Sequence, residues 1–423
     1  MRSRTRALVV GCALATNPAC SFGGASADAA TEGGSTTEGT GGDDVMTTAT
    51  PGGPGNPADG NPDDSDPADS DADTSDDMAT TGEPSPGGWL EGYQFRRAIT
   101  IHPSTDLDEF PVGISLRDDE ELEANAAENG RDIRFTEADG ETLVPFEIEA
   151  YSGGNLAAWV DAGPLSGDRD TVVFLYYGLG DARMPPAGAD VWAERFVGVW
   201  HMVPTNTELA DATGNGKVGA ATSEDQAAAP GSGIMGRAAA FDGVDDLYTV
   251  ADPGAPSLDF GDQSFSYSLW VLVDEHTGLF DQPIGKGGAD ATNPGYGIFL
   301  GQQDWTAAVA DTTSGFTGAV FGDSADFLGE WTYLAIAVDR EAGRLRAYVN
   351  GNEVTDSAFT LDDVTASQPL VFSLQMNPFI GVLDEVRIQA AAIDGPRAAA
   401  AYRNLALPDE FYSVGDPQAI PSP

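Results

Sequence analysis

Glu147 and Glu149 are the first pair in this 423-residue chain whose types and spacing could do chemistry. In a strand, residues i and i+2 share one face about 7 Å apart. Two carboxylates at that range are the equipment of glycoside hydrolysis, one donating a proton while the other attacks or activates water. The plainer reading, and the one expected here, is a pair of solvated surface carboxylates. Asp384 and Glu385 form a second acidic pair, but neighbours in a strand point to opposite faces and are not expected to share a site. Alternation instead sets Asp384 with Val382, Val386 and Ile388 on an apolar face and leaves Glu385 and Arg387 on the other. A buried carboxylate needs a cation or several hydrogen-bond donors, so Asp384 is expected either to ligate a hard cation or to bind backbone amides.

The remaining candidates are weaker. His102, His201 and His276 have no ligand-like spacing, and His201 beside Trp200 reads as a packed core or interface residue. Gly214 to Gly219 spells G-x-G-x-x-G, yet the dinucleotide fingerprint needs a strand before it and a helix after it; here Glu208 to Thr213 precedes and an Ala-rich loop follows. Among the aromatics, Tyr296, Trp305, Phe316 and Trp331 could stack on sugar rings. Trp331 alternates with Tyr333 and is expected to pack, whereas Trp305, flanked by Gln302, Gln303, Asp304 and Thr306, is the expected exposed ligand contact.

The elements that must position these groups read as strands. Asn350-Gly351 lies between alternating flanks, the strongest short-range signal for a two-residue type I′ hairpin. Phe265 to Val273 alternates so that Phe265, Tyr267, Leu269, Val271 and Val273 share one face, and Thr332 to Asp339 repeats the pattern. Ala98 to Ile101, Ile133 to Phe135, Phe146 to Ile148 and Val172 to Tyr177 are further short runs between turn residues. Many short strands with regular turns specify a sandwich or barrel. Near the end, Pro396 followed by Ala398 to Ala401 marks a short helix.

Three runs carry a family resemblance: FDGVDDLYTV over residues 241–250, YVNGNEV over 348–354 and GVLDEVRI over 381–388. In order and spacing they resemble the laminin-G-like, concanavalin-type jelly roll. Modules of that kind often hold calcium, and the resemblance makes Asp384 with Asp242 or Asp245 the candidate calcium site. Laminarinase-type enzymes of the same fold use an E-x-D-x-x-E strand, from which E-I-E-A-Y at 147–151 departs. Residues 89 to about 190 carry six ordered runs, among them GYQFRRAITI, GRDIRF and LVPFEIE, similar to a bacterial family of uncharacterised domains found upstream of laminin-G-like modules. WAERFVGVWHM over 192–202 ends one pattern and begins the other without a linker, so the two domains are expected to pack together.

Composition bounds the partners. The formal net charge is −48 and the pI near 4.1, which repels nucleic acid and anionic membrane surfaces. Residues 21–88 hold fifteen Asp or Glu and no Lys or Arg, with almost no branched or aromatic residues; such a tract cannot bury enough apolar surface to order itself. Arg2, Arg4 and Arg6 precede an apolar run too short to span a bilayer, as in a secretory signal peptide. Ala19-Cys20-Ser21 resembles a bacterial lipoprotein cleavage site, making Cys20 the expected lipidation point. Cys12, after Val9-Val10-Gly11, leaves too short an apolar core, and Ala25-Ser26-Ala27 offers cleavage to a soluble product. With both cysteines in the leader, the domains have no disulfide.

The expected organisation is a signal peptide (1–20), a disordered acidic stalk (21–88), an all-β domain (89–195), a jelly roll (196–412) and a tail (413–423), an all-β chain of two packed sandwiches. The expected function is non-catalytic recognition of a glycan or surface protein. The membrane enters only through a lipid anchor at the outer membrane or cell surface. A polysaccharide-degrading enzyme and a purely structural surface protein are the alternatives.

Overall fold

The computed structural model describes residues 87–181, 188–192, 195–252, 256–276, 280–290, 293–311, 313 and 315–420. The readings made for residues 1–86, including Cys12, Cys20 and the acidic tract, lie outside them. The described chain is nearly all strand, arranged as two sandwiches.

In the first sandwich, Phe95–Ile101 pairs antiparallel with Thr171–Tyr177, which pairs in turn with Arg134–Glu137. The facing sheet is Pro111–Leu116, Asn155–Asp161 and Phe146–Ser152. Alternating apolar residues from both sheets, Ile99, Ile101, Val112, Ile114, Phe135, Val160 and Leu175 among them, make its core. Residues 413–423, described as far as 420, are expected as a tail. Instead Tyr412–Val414 and Gln418–Ala419 both pair with Phe95–Ile101, and Phe411 and Tyr412 enter the first core. That sandwich is therefore built from two stretches at opposite ends of the described chain.

The second sandwich has two eight-stranded sheets. One runs Ala229–Ser232, Arg237–Asp242, Ile380–Gln389, Phe265–Val273, Thr332–Asp339, Arg344–Val349 and Asn352–Ala358, with Phe196–Trp200 also pairing against Ile380–Gln389. The other runs from Gly315–Asp323 through Asp304–Asp311, Asn293–Gly301, Phe280–Asp290 and Leu370–Phe372 to Tyr248–Val250, Gly219–Ala220 and Glu208–Leu209. Phe265, Tyr267, Leu269, Val271 and Val273 all face the core, as the alternation requires. Asn350 and Gly351 take φ of 48° and 78°, the two positive values a type I′ turn needs, and the flanking strands pair through Val349 and Asn352. The G-x-G-x-x-G run leads into the short strand Gly219–Ala220 rather than a helix.

Both lysines of the chain are buried in this sandwich. Lys217 Nζ lies 2.6 Å from Asp252, and Lys286 Nζ lies 3.0 Å from Asp259 while donating to the carbonyls of Ala366 and Gln368. A buried ammonium is tolerated only when paired in this way.

The sandwiches meet along a shared apolar seam. Ala157 and Trp159 from the first pack with Val191, Trp192, Phe196, Val199 and Met235. The helix Gly395–Ala406, capped by Asp394 accepting from the Arg397 amide and started by Pro396, fills the rest. Its Ala400 joins the first core and its Ala398 packs with Trp270, Tyr333 and Tyr348. Asn404 takes both the amide and the carbonyl of Gly113, at 2.7 and 2.8 Å.

Candidate functional site

At this seam the structure gathers charged groups that the sequence spreads over 240 positions. Local irregularities aim two of them. Along Phe146–Ser152, Ile148 opposes Ala158 and Ala150 opposes Ala157, so Glu149 is an extra residue, a β-bulge. Along Ile380–Gln389, Arg387 opposes Ser268 and Asp384 opposes Trp270, another bulge, with Glu385 held at φ 48°. A bulge inserts one residue and re-aims its side chain. Leu383, Val386 and Ile388 consequently face the core of the second sandwich, while Asp384, Glu385 and Arg387 carry the polar contacts at the seam. Two expectations are corrected here. Asp384 does not share a face with Val386 and Ile388, and Asp384 and Glu385 are not kept apart by strand alternation.

His201, just beyond Phe196–Trp200, sits at the centre. Its Nδ1 lies 2.7 Å from Glu385 Oε1 and 3.7 Å from Glu149 Oε2, and its Nε2 lies 3.4 Å from Glu147 Oε2. The ring stacks on Trp159 at 6.0 Å with an interplanar angle of 14°. The two tryptophans also fix the glutamates: Trp192 Nε1 donates to Glu147 at 2.8 Å and Trp159 Nε1 to Glu149 at 3.2 Å. Arg387 donates to Glu385 Oε2 at 2.9 Å, with its guanidinium 4.2 Å from the Trp159 ring centre. Glu147 and Glu149 are thus not the solvated pair expected; the side chain of Glu149 is only 3% exposed.

The electrostatics follow from burial and proximity. Burial pushes the Glu149 carboxyl up to about 8 against the opposing pull of His201. Burial, with the charges of Glu385 and Glu149, holds Asp384 well above the usual carboxylate range. For Glu385 burial works upward too, but His201 and Arg387 outweigh it and leave the carboxyl below its ordinary value. Burial works to lower His201, and Glu385, Glu149 and Glu147 together reverse that and hold the imidazole well above its ordinary value. Glu149 Oε1 and His201 Nε2 have no hydrogen-bond partner. Such an arrangement can hold a proton or a cation. The cavity beside Trp159, Glu385 and Arg387 measures about 10 Å³, room for about one water.

The other expected site residues lie elsewhere. Asp242 opposes Ile380, four positions along the strand from Asp384 and therefore about 13 Å away, so the structure does not bring Asp384 together with Asp242 and Asp245. Asp384 accepts instead from the amides of Met235 at 3.2 Å and Glu385 at 2.9 Å. Asp242 and Asp245 are joined by Asp246, their ligand atoms within 4.8 Å of one another. Trp305, the expected ligand contact, is fully buried. It alternates inward with Ala307 and Val309 and packs against Phe327 at 4.8 Å; the polar residues before it belong to the turn that starts its strand. Tyr296 is buried as well, and of the four aromatics considered only Phe316, 45% accessible, stays exposed.

No curated protein sequence matches the chain. Among solved structures, it is similar to the binding domain of Paraclostridial Mosquitocidal Protein 1, at 14% identity over 50% of this chain and 52% of that one with a TM-score of 0.42. It is also similar to the Botulinum neurotoxin serotype D binding domain, at 14% identity over 51% and 52% with a TM-score of 0.40. The serotype D ligand binding domain in complex with N-acetylneuraminic acid gives 14% identity, 51% and 52% coverage and a TM-score of 0.39. The chain spans about half the length of these structures, and likeness at this level carries nothing about ligand. In sequence, residues 242–396 match the model of the concanavalin A-like lectin/glucanases superfamily. The second sandwich therefore contains a concanavalin A-like, laminin-G-like domain.

Proposed function

We propose that this chain is an exported binding module whose concanavalin A-like sandwich recognises a glycan or a glycan-bearing surface without catalysing a reaction. The observation that carries the reading is the pairing of a lectin-type domain over residues 242–396 with carboxylates sealed inside a seam. A glycosidase needs two carboxyl groups flanking an accessible scissile bond, and ligand pockets commonly enclose roughly 300 to 1,000 Å³. A cavity of about 10 Å³ beside Glu385 admits no sugar ring. Phe316, 45% accessible on the outer edge strand Gly315–Asp323, offers the apolar surface on which a sugar ring would stack. In this reading Cys20 carries a lipid and residues 21–88 hold the sandwiches away from the membrane.

A glycan array probed with the full chain, with hydrolysis assayed in parallel, tests both halves. Binding without turnover is the expected result, reduced at least about tenfold by Phe316→Ala, which removes an exposed side chain whose loss a folded protein tolerates. Release of reducing ends from any glycan would overturn the non-catalytic half; silence across the array would overturn recognition. Cys20→Ala is expected to move the protein from membrane to soluble fractions while export continues.

A further inference from the structure

We propose that Glu149, His201 and Glu385 form a site for a borderline divalent transition-metal ion, with Zn²⁺ as its natural probe, that bonds the two sandwiches together. One ligand atom from each residue lies within 4.8 Å of the others, and the three come from both sandwiches: Glu149 from Phe146–Ser152 of the first, and His201 and Glu385 from the second. The ion takes the place of the proton between His201 Nδ1 and Glu385 Oε1, now 2.7 Å apart, and draws in Glu149 across the 3.7 Å to its Oε2.

Independent observations point to a ligand here. The Glu149 side chain is only 3% exposed, yet its Oε1 has no hydrogen-bond partner among the described residues, a state that costs stability. Gly236, at φ 60°, lies against that oxygen, where a Cβ would stand 2.3 Å from it, so a side chain at this position would displace the Glu149 carboxylate. The outer groups already match the pattern that orients metal ligands, in which each ligand is held by a further partner. Glu147 faces the second ring nitrogen of His201 at 3.4 Å, Trp159 Nε1 holds Glu149, and Arg387 holds the second oxygen of Glu385. Charge favours the ion too. Glu147, Glu149, Asp384 and Glu385 gather around Arg387 and His201, and a divalent ion adds positive charge where four carboxyl groups meet. An imidazole with two carboxylates suits Zn²⁺ and its neighbours; calcium takes six to eight oxygen ligands.

The test uses the full chain, stripped with chelator and dialysed, then loaded with Zn²⁺ and passed through a desalting column before metal analysis. One tightly held Zn²⁺ per chain is expected, with a higher melting temperature than the stripped protein. Glu149→Gln combined with Glu385→Gln should weaken binding at least about 100-fold, since even outer-shell changes at metal sites cost 10–100-fold. Zn²⁺ scavenged by the acidic surface would survive that double change and overturn the proposal. If the double variant does not fold, Co²⁺ on the unmodified chain decides: visible bands of nitrogen and oxygen coordination support the site. A folded chain that retains no Zn²⁺ after desalting, with a melting temperature indifferent to chelator, overturns it.

Discussion

Two clusters of ligand-type side chains, one in the second sandwich and one at the seam, are equally tight and differ in everything else. Asp242, Asp245 and Asp246 sit in one loop, close because they are close in sequence. Their charges are largely spent on the loop itself: Asp246 accepts from the Asp242 amide and Asp242 from the Val244 amide, both at 2.8 Å. Glu149, His201 and Glu385 come from three separated elements, are sealed from water and retain unpartnered atoms. Only Asp246 of that loop is buried, so water still screens Asp242 and Asp245, whereas a fully buried cluster exists only if the fold supplies opposite charge. The difference teaches that proximity of carboxylates means little until the cost of holding them is known.

The comparison breaks most visibly at Glu385. Glu385→Ala leaves His201 and Arg387 without their shared counter-charge at a buried position, and loss of one partner from such a pair costs about 3–5 kcal/mol. A midpoint shift in chemical denaturation corresponding to less than about 1 kcal/mol would mean that water reaches the seam and the contrast is false. A middle-sized effect is expected in the pH profile of chelated protein. Glu149 and His201 both hold protons in the folded state at pH values where the unfolded chain releases them, up to about 8 for Glu149. Their contribution is therefore fully present only below the ordinary carboxylate value and is lost as pH rises through the folded-state values. Glu385, shifted the other way, contributes stability that is lost only as pH falls below the ordinary carboxylate value. Melting temperatures from pH 5.5 to 8.5 should decline in the unmodified chain and decline less in Glu149→Gln; equal slopes would show that Glu149 does not titrate abnormally. The smallest effect belongs to the loop of Asp242, where changing the half-buried Asp245→Ala should alter stability by no more than about 0.5 kcal/mol.

The sequence made the regular part of this architecture legible. FSYSLWVLV placed five residues on the core face because strand alternation holds over its full length, and Asn350-Gly351 located its hairpin because few residues accept two successive positive φ values. The seam was illegible for the same physical reason, reversed. Strand parity cannot survive an inserted residue, and both Glu149 and Glu385 are bulge residues. Parity reasoning therefore separated Asp384 from Glu385 and sent Asp384 to the wrong face. Trp305 was misplaced because its polar flanks described the turn, not the strand that follows. A usable signal did exist: Trp192 and His201 lie within the junction run, and Trp159 shares a strand pair with Glu147, so aromatics and carboxylates were already concentrated where two domains had to meet.

The pairing of Tyr412–Val414 and Gln418–Ala419 with Phe95–Ile101 sets an order of events. A chain made from its N-terminus presents Phe95–Ile101 long before the strands that cover its outer edge exist, and an open edge is a template for wrong partners. The second sandwich can complete its sheets once residues up to 389 are available, while the first must wait for the last dozen residues. The domain begun first is thus finished last. A premature stop that removes only those final residues would damage the sandwich most distant from it in sequence and leave the lectin-type core standing.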